Sequence, residues 1–454
     1  MGVKSLFIIV EMRSDSCYGH SSKIRITCSN AENLPKGLVM VFVLSQKNVP
    51  LMPCLPVIAR LLLKQNKAKC VQRTPFVIKL VNETTEYIQD ITFGLDTASG
   101  TMGAAAVHEN GDVFYLSQVE VRNDIASKMK ARSKYRHNRR NRKTRYRKAR
   151  WMHRGNSVKT DRFSPTMTSK IDTHLKEVAF VNSIIPISKI FIETGTFDPH
   201  ALKNPEVLLD KTLYQHGANY GFANTKAFVL HRDGHICQYC KGKTKDKRIE
   251  VHHIIHRSNG GSDEESNLIS LCKTDHAALH RGDIVIKGGK KRGTLNHATQ
   301  MNSIRVRLSK ALPTAEETFG FITKEHRQLM GLPKDHHFDA VAIASQGNPV
   351  KFRTTSVLHK KSISDGDYQQ TKGVRSEQRI PTGKISGFRK FDKVKHNGSE
   401  YFIKGRMSTG YAILMDISGT KVAIKPIPKF DGLQRIQART SWITSQKIMQ
   451  NIYC

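Results

Sequence analysis

The sequence predicts a mixed α/β protein of several domains. Three observations carry that. The chain has 454 residues, enough for about three domains of ordinary size. Its apolar residues switch repeatedly between the two-residue alternation of strands and the three- and four-residue spacing of helices. Between His235 and His280 it also holds a compact Cys and His cluster: HICQYC, then VHHIIH, SLC and DHAALH.

Charge and cysteine usage bound the function. Lys and Arg number 74 against 38 Asp and Glu, a net charge of +36. That excess points to a polyanion, most simply nucleic acid, with an anionic membrane surface as the bland alternative. No run reaches the length of a membrane-spanning helix, so no membrane is expected. SLFIIV near the start is short and followed by Glu11, a poor signal peptide. The cysteines outside the cluster are scattered, which suits a reducing compartment. The expected location is cytoplasmic, associated with the nucleoid.

The elements follow in order. Residues 1–39 show no clear pattern and read as an extension. From Val41, two strands flank a short helix carrying Arg60, Leu62, Leu63 and Lys64, with Pro50-Leu51-Met52-Pro53 in a turn. ITFGLD, TMGAAAVH and DVFYLSQVEV read as three strands, joined at Ser99-Gly100 and Asn110-Gly111. Residues 128–150 contain 13 Lys or Arg in 23 and no acid. Neither Pro nor Gly interrupts them, so a helix is allowed once phosphates neutralise it. Arg132, Arg136, Arg139, Arg140, Arg142, Arg145 and Arg147 are its candidate nucleic-acid contacts, with Tyr135, Tyr146 and Trp151 available to stack. A disordered basic tail or a localisation signal is the alternative. Ser164-Pro165 opens a helix, the strand ISKIFIE ends in Glu193, and helices follow near 223–233 and 297–311. Pro333 opens another, bearing His336 and Asp339 on one face. After residue 346 the chain is polar and basic. Four alternating runs, GKISGFRKFDKVKH, SEYFIKGRM, GYAILMDISG and KVAIKPIPK, then predict a small β-barrel.

Chemistry concentrates at two places. Cys237, Cys240 and Cys272 suit a structural Zn²⁺. Its fourth ligand is open between Asp275 and His276. Within that frame IEVHHII reads as a strand, so His252 and His253 point to opposite faces. Asn267 follows, then His276 and His280 share a helix face. One imidazole of the pair can hold a metal while the other takes a proton from water. The second place is dispersed. Asp96, Glu193 and the His336/Asp339 pair each stand at the end or start of an apolar element. Each alone is an ordinary turn or helix-end residue. Together they are a candidate set for two Mg²⁺ or Mn²⁺ ions.

These residues carry a resemblance. His252-His253, Asn267, His276 and His280 inside a cysteine frame resemble the HNH nucleases, whose fold is ββα-metal. The resemblance implies His253 as general base, and His252 and His276 on the metal with His280 nearby. It also implies that Asn267 orients the base or touches the metal, with Glu250 as an added carboxylate. The acids resemble an RNase H-like RuvC nuclease core split in three, with Asp96, Glu193 and His336/Asp339 in successive segments. Thr97-Ala98 stands where that family often has Pro-Gly. HNH inserted before the third segment, behind a PLMP-type start and an arginine-rich helix, is similar to the IscB family of transposon-encoded RNA-guided nucleases. This layout implies an extension (1–39), an α+β PLMP domain (40–86) and RuvC segment I (87–122). A bridge helix (123–154), RuvC segment II (155–222), HNH (223–290) and RuvC segment III (291–346) come next. A C-terminal β-barrel (347–454) would read a DNA motif beside the target, or is a generic SH3-like barrel. The implied partners are a guide RNA and double-stranded target DNA, in a monomeric ribonucleoprotein. HNH would cut the guide-paired strand and RuvC the displaced one. An RNA-independent homing-type endonuclease and a nucleic-acid-binding scaffold are the rivals.

Overall fold

The computed structural model describes residues 39–141, 163–217, 219–289, 295–364, 384–407 and 409–449. The expected extension 1–39 lies outside them except for its last residue. The first module contains β1 (Val41–Leu44), β2 (Pro50–Cys54), α1 (Pro56–Lys64), β3 (Ala68–Gln72) and β4 (Val77–Leu80). Its sheet runs β2-β1-β4-β3, so it has four strands rather than the two expected. Both unexpected strands are edges. β2 carries the two prolines, which an edge tolerates because no inner ladder bond is lost. β3 exposes three residues in a row, which hides its alternation. Val41, Val43, Leu51, Ala59, Ala68 and Ile78 form the core beneath.

The central sheet begins as predicted. β5 (Ile91–Asp96), β6 (Thr101–His108) and β7 (Asp112–Glu120) form an antiparallel meander. The basic segment supplies α2 (Ile125–Asn141), and its remainder lies outside the described residues. α3 (Pro165–Asn182) starts where Ser164 caps it by accepting from Met167 N. β8 (Lys189–Thr194) then enters parallel beside β5.

After α4 (Pro199–Lys203) comes an inserted unit: α5 (Thr225–Arg232), β9 (Ile249–His253), β10 (Leu268–Cys272) and α6 (Lys273–Arg281). The chain returns through α7 (Asn296–Ala311), β11 (Glu316–Phe319), α8 (Gly320–Leu329) and α9 (His336–Ser345). α9 does not open at Pro333 as expected. Asp335 caps it, its Oδ1 accepting from His336 N at 2.8 Å. A carboxylate can satisfy an orphan N–H of the first turn and proline cannot.

The C-terminal part departs from the expected single barrel. β12 (Lys351–Phe352) pairs with β7, and β13 (Ser356–Ser362) lies parallel to it. β14 (Lys393–His396), β15 (Ser399–Arg406), β16 (Ala412–Met415) and β17 (Gln434–Gln437) form a separate sheet ordered β16-β15-β14-β17. KVAIKPIPK contributes two isolated bridges there, Lys421 with Met415 and Lys429 with Tyr411, rather than a strand. β18 (Trp442–Ile448) returns to pair with β13. The large sheet is therefore β11-β8-β5-β6-β7-β13-β18. Residues expected as a distant module extend the central sheet.

Helices cover both faces of that sheet. Ala104 and Ala106 face Ile171, Val178, Ile304 and Leu308 of α3 and α7. Ala105 and Val107 face Ala340, Val341 and Ala344 of α9. The two-residue period of β6 sorts its alanines between the layers. Two glycines bring α9 close. A Cβ at Gly94 would stand 2.3 Å from Ala340 O, and one at Gly103 1.9 Å from His336 O. No helix among the described residues is long and apolar enough to cross a membrane.

Candidate functional site

Close packing of α9 assembles the first site. Asp96 and Glu193 are register partners at the ends of the parallel strands β5 and β8. His336 begins α9 directly above, its Nδ1 2.6 Å from Asp96 Oδ2. Asp339 follows one turn later, 2.7 Å from Arg327 Nε of α8. Residues far apart in sequence thus face one place. Burial raises the Asp96 carboxyl above its ordinary value, against the pull of His336. Burial first, and then the Asp96 charge, push Glu193 up to about 7. Burial also raises Asp339, despite Arg327. Crowded carboxylates held above their usual range are relieved by a bound cation, and oxygen donors suit Mg²⁺ or Mn²⁺. Asp96 is turned to His336 and Asp339 to Arg327.

The loop after Asp96 is pinned by side chains that the sequence reading missed. Thr97 Oγ1 donates to Glu193 O at 2.6 Å. Ala98 N donates to His174 Nε2 at 3.4 Å. Ser99 meets His297 through its hydroxyl and Lys170 through its carbonyl. Lys170 also donates to Gln300 Oε1 at 2.6 Å. His174 and Lys170 are both buried on α3, and burial pushes His174 down to about 4. Two titratable residues one turn apart among the apolar positions of α3 were the available signal.

The second site is the cysteine cluster. Sγ of Cys237, Cys240 and Cys272 and a carboxylate oxygen of Asp275 all lie within 4.8 Å of one another. Asp275 Oδ2 stands 3.0 Å from Cys237 Sγ and 3.2 Å from Cys272 Sγ. Of the two residues left open, Asp275 is therefore the one at the cluster. The reason is local. Cys272 caps α6, and Asp275 three residues later turns back over it. Burial pushes the Cys237 thiol up to about 11. A buried thiol set closed by a carboxylate fits a tetrahedral Zn²⁺, which binds thiolate and reverses that shift.

The third site lies on the other side of the same hairpin. β9 and β10 pair antiparallel, with His252 opposite Ile269 and His253 opposite Leu268. His252 is buried and its Nδ1 lies 2.9 Å from His276 Nε2. His276 Nε2 is 3.2 Å from His280 Nε2, and its Nδ1 is 2.6 Å from Glu250 Oε2. His256 joins them: its donor atom and those of His252 and His280 lie within 4.8 Å of one another. His256 was not a sequence candidate, although it stands four residues past His252. Burial, then His276 and the other rings, push His252 down to about 4. Imidazoles converging this closely fit a divalent metal, and Glu250 fixes the His276 ring from behind.

His253 points the other way. Its Nε2 lies 2.9 Å from Asp263 Oδ1, which also accepts from Arg257 Nε at 2.7 Å. Asp263, likewise missed, orients the ring. Asn267 is held inside the loop that follows β9. It is fully buried, accepts from Ile255 N at 2.9 Å and donates to Ile255 O and Ser262 O at 3.0 and 2.8 Å. It therefore positions the loop that carries His256 and Asp263.

Of the basic arm, Arg132 and Arg136 lie on described turns of α2, and Arg139 and Arg140 on its last turn. Arg142, Arg145 and Arg147 lie outside the described residues.

Residues 41–217 match the family model described as RRXRR protein. Residues 237–282 match that of HNH endonuclease, a class that generally requires a divalent metal. The Type IV methyl-directed restriction enzyme EcoKMcrA of Escherichia coli (strain K12) is 37% identical over 62 residues, 12% of this chain and 22% of that protein. The chain thus matches about a fifth of that relative's length. Among solved structures, Streptococcus thermophilus Cas9 in complex with the AGAA PAM is 12% identical at a TM-score of 0.31, covering 46% of this chain and 30% of that one. The Type II-C Cas9 enzyme of Actinomyces naeslundii is 15% identical at 0.16, covering 40% and 31%. The chain therefore carries an RRXRR-type region followed by an HNH endonuclease domain.

Proposed function

We propose that the chain is an RNA-guided DNA endonuclease with two active centres, each cutting one strand. One observation carries this most: a single, strongly basic chain holds two separate clusters suited to metal-dependent phosphodiester hydrolysis. A guide RNA would pair with one strand while the protein holds the heteroduplex by its backbone. The arginines of residues 128–150 would contact that RNA. The central sheet with α3, α7 and α9 would be the RuvC-type core, residues 40–86 the PLMP module and β14–β17 the reader of a neighbouring DNA motif. A monomeric ribonucleoprotein in the cytoplasm, at the nucleoid, completes the reading.

At the HNH centre, His252, His256, His276 and His280 would supply donors for a divalent metal. When bound, the ion neutralises the scissile phosphate. His253, its Nε2 engaged by Asp263, removes the proton of the attacking water through Nδ1. Cys237, Cys240, Cys272 and Asp275 hold Zn²⁺ and so fix the hairpin against α6. At the second centre Asp96, Glu193 and Asp339 crowd negative charge for Mg²⁺ or Mn²⁺, and His336 exchanges the proton. The assignment of HNH to the guide-paired strand and of the acids to the displaced strand comes from the family resemblance. The test is to purify the protein from its host, sequence any bound RNA, and follow cleavage of matching DNA with each strand labelled. RNA-dependent cutting of both strands supports the proposal. Cutting that survives complete RNA removal means an RNA-independent endonuclease.

A further inference from the structure

We propose that Phe319 and Phe321 form a stacking platform for the bases of the strand cut at the acidic centre. The proposal rests on the reading of Asp96, Glu193, His336 and Asp339 as a phosphodiesterase site. β11 runs parallel to β8, with Thr318 opposite Glu193 and Phe319 opposite Thr194. The chain passes straight from β11 into α8 at Gly320. A Cβ on Gly320 would stand 3.0 Å from Glu193 Oε1, and Thr323 hydrogen-bonds the same carboxylate. The segment that walls Glu193 is therefore the one that carries both rings.

The rings themselves face solvent. Phe319 is 38% and Phe321 72% exposed. Their planes are 5° apart and their centroids 6.1 Å. Two parallel aromatic faces left in water gain little from folding but match the faces of unpaired bases. The setting favours nucleic acid over an apolar protein partner. Lys324 and Glu325 stand exposed together on the next turn, while the chain as a whole carries +36. Bases inside a duplex are already stacked, so the ligand is a single-stranded segment such as the displaced strand of an opened target. Holding a base there fixes which phosphate meets Glu193.

The test uses the full chain with its copurified RNA and matching DNA labelled on each strand. The variant Phe319→Ala/Phe321→Ala should slow displaced-strand cutting at subsaturating DNA by roughly tenfold per ring. It should also scatter the cut position and leave guide-paired-strand cutting unchanged. Phe319→Trp/Phe321→Trp should restore rate and position. In an Asp96→Ala background, 2-aminopurine beside the cut site should stay quenched with both rings present and brighten when they are alanine. The platform is overturned if the alanine variant cuts the displaced strand like its parent with 2-aminopurine unchanged. It is also overturned if both strands slow alike and tryptophan restores neither, since the rings then serve the fold or another chain. Asp96→Ala alone is the control for the underlying reading. If it leaves displaced-strand cutting intact, the acidic-centre reading fails and the platform proposal falls with it.

Discussion

His252 and His253 are adjacent residues with different surroundings. Strand geometry turns one ring into the hydrogen-bonded cluster with His276 and the other toward Asp263. His253→Ala should therefore lower cutting of the guide-paired strand by roughly 10²–10⁴-fold, the usual worth of a positioned base. Displaced-strand cutting should persist, and strand-specific nicking assays read both. Asp263→Asn should give a smaller loss in the same strand, because it disturbs only the orientation of the ring. Equal loss in both strands would remove His253 from its assigned role. The acids make a second residue-scale prediction. Because Asp96, His336 and Asp339 would act as one unit, their losses should not add. Asp96→Ala should abolish displaced-strand cutting, and adding Asp339→Ala should cost almost nothing further. Single-turnover rates of the single and double variants decide this.

At the scale of elements, the β9–β10 hairpin and α6 are joined by the four-residue cysteine cluster. Small units of this kind depend on the metal for folding energy. Metal analysis should find about one Zn²⁺ per chain. Cys237→Ser should lower the melting temperature of the HNH unit before that of the central sheet. A zinc-free protein whose Cys237→Ser variant melts like its parent would make the thiols merely buried. α3 carries a pH prediction through His174. The unfolded chain titrates this group near 6.5, while burial in the folded protein holds it down to about 4. Between those values the unfolded state binds a proton that the folded state refuses. Stability should therefore fall as pH drops from about 6.5 to 4, by up to roughly 3 kcal/mol from this group. Urea midpoints at pH 7 and pH 5 measure the slope. His174→Gln should flatten it in part, since burial holds His337 down to about 4 as well.

Across the whole molecule, one buried ion pair ties the C-terminal strands to the rest. Lys360 of β13 lies 2.7 Å from Glu177 of α3, and both side chains are fully buried. The ammonium also meets Tyr115 Oη of β7 at 2.7 Å. It stands over the rings of Phe180 at 3.8 Å and Trp442 of β18 at 4.6 Å. Burial lowers the Lys360 pKa to about 8 even so. Lys360→Met leaves the Glu177 charge unpaired and should destabilise the protein by about 3–5 kcal/mol. Adding Glu177→Leu should recover most of that loss. Denaturant titration of the double-mutant cycle measures it, and simple additivity would mean the pair is not coupled.

The sequence by itself determined the strands β5 to β8 and the helices α3 and α7, the insertion of the cysteine and histidine unit, and the opposed faces of His252 and His253, but not β11 or α8. These rest on local periodicity and spacing, which the chain displays directly. Only the tertiary structure decided which residues meet across it. Asp275 rather than His276 stands at the cysteines because of the way Cys272 caps α6. His256, Asp263 and His174 come to their sites through loop and helix packing that no short pattern encodes. β13 and β18 leave the C-terminal run to widen the central sheet, where Lys360 meets Glu177 and the rings of Phe180 and Trp442. The two orphan edges, β2 and β3, escaped notice because an edge strand needs neither a continuous apolar face nor a full set of ladder donors.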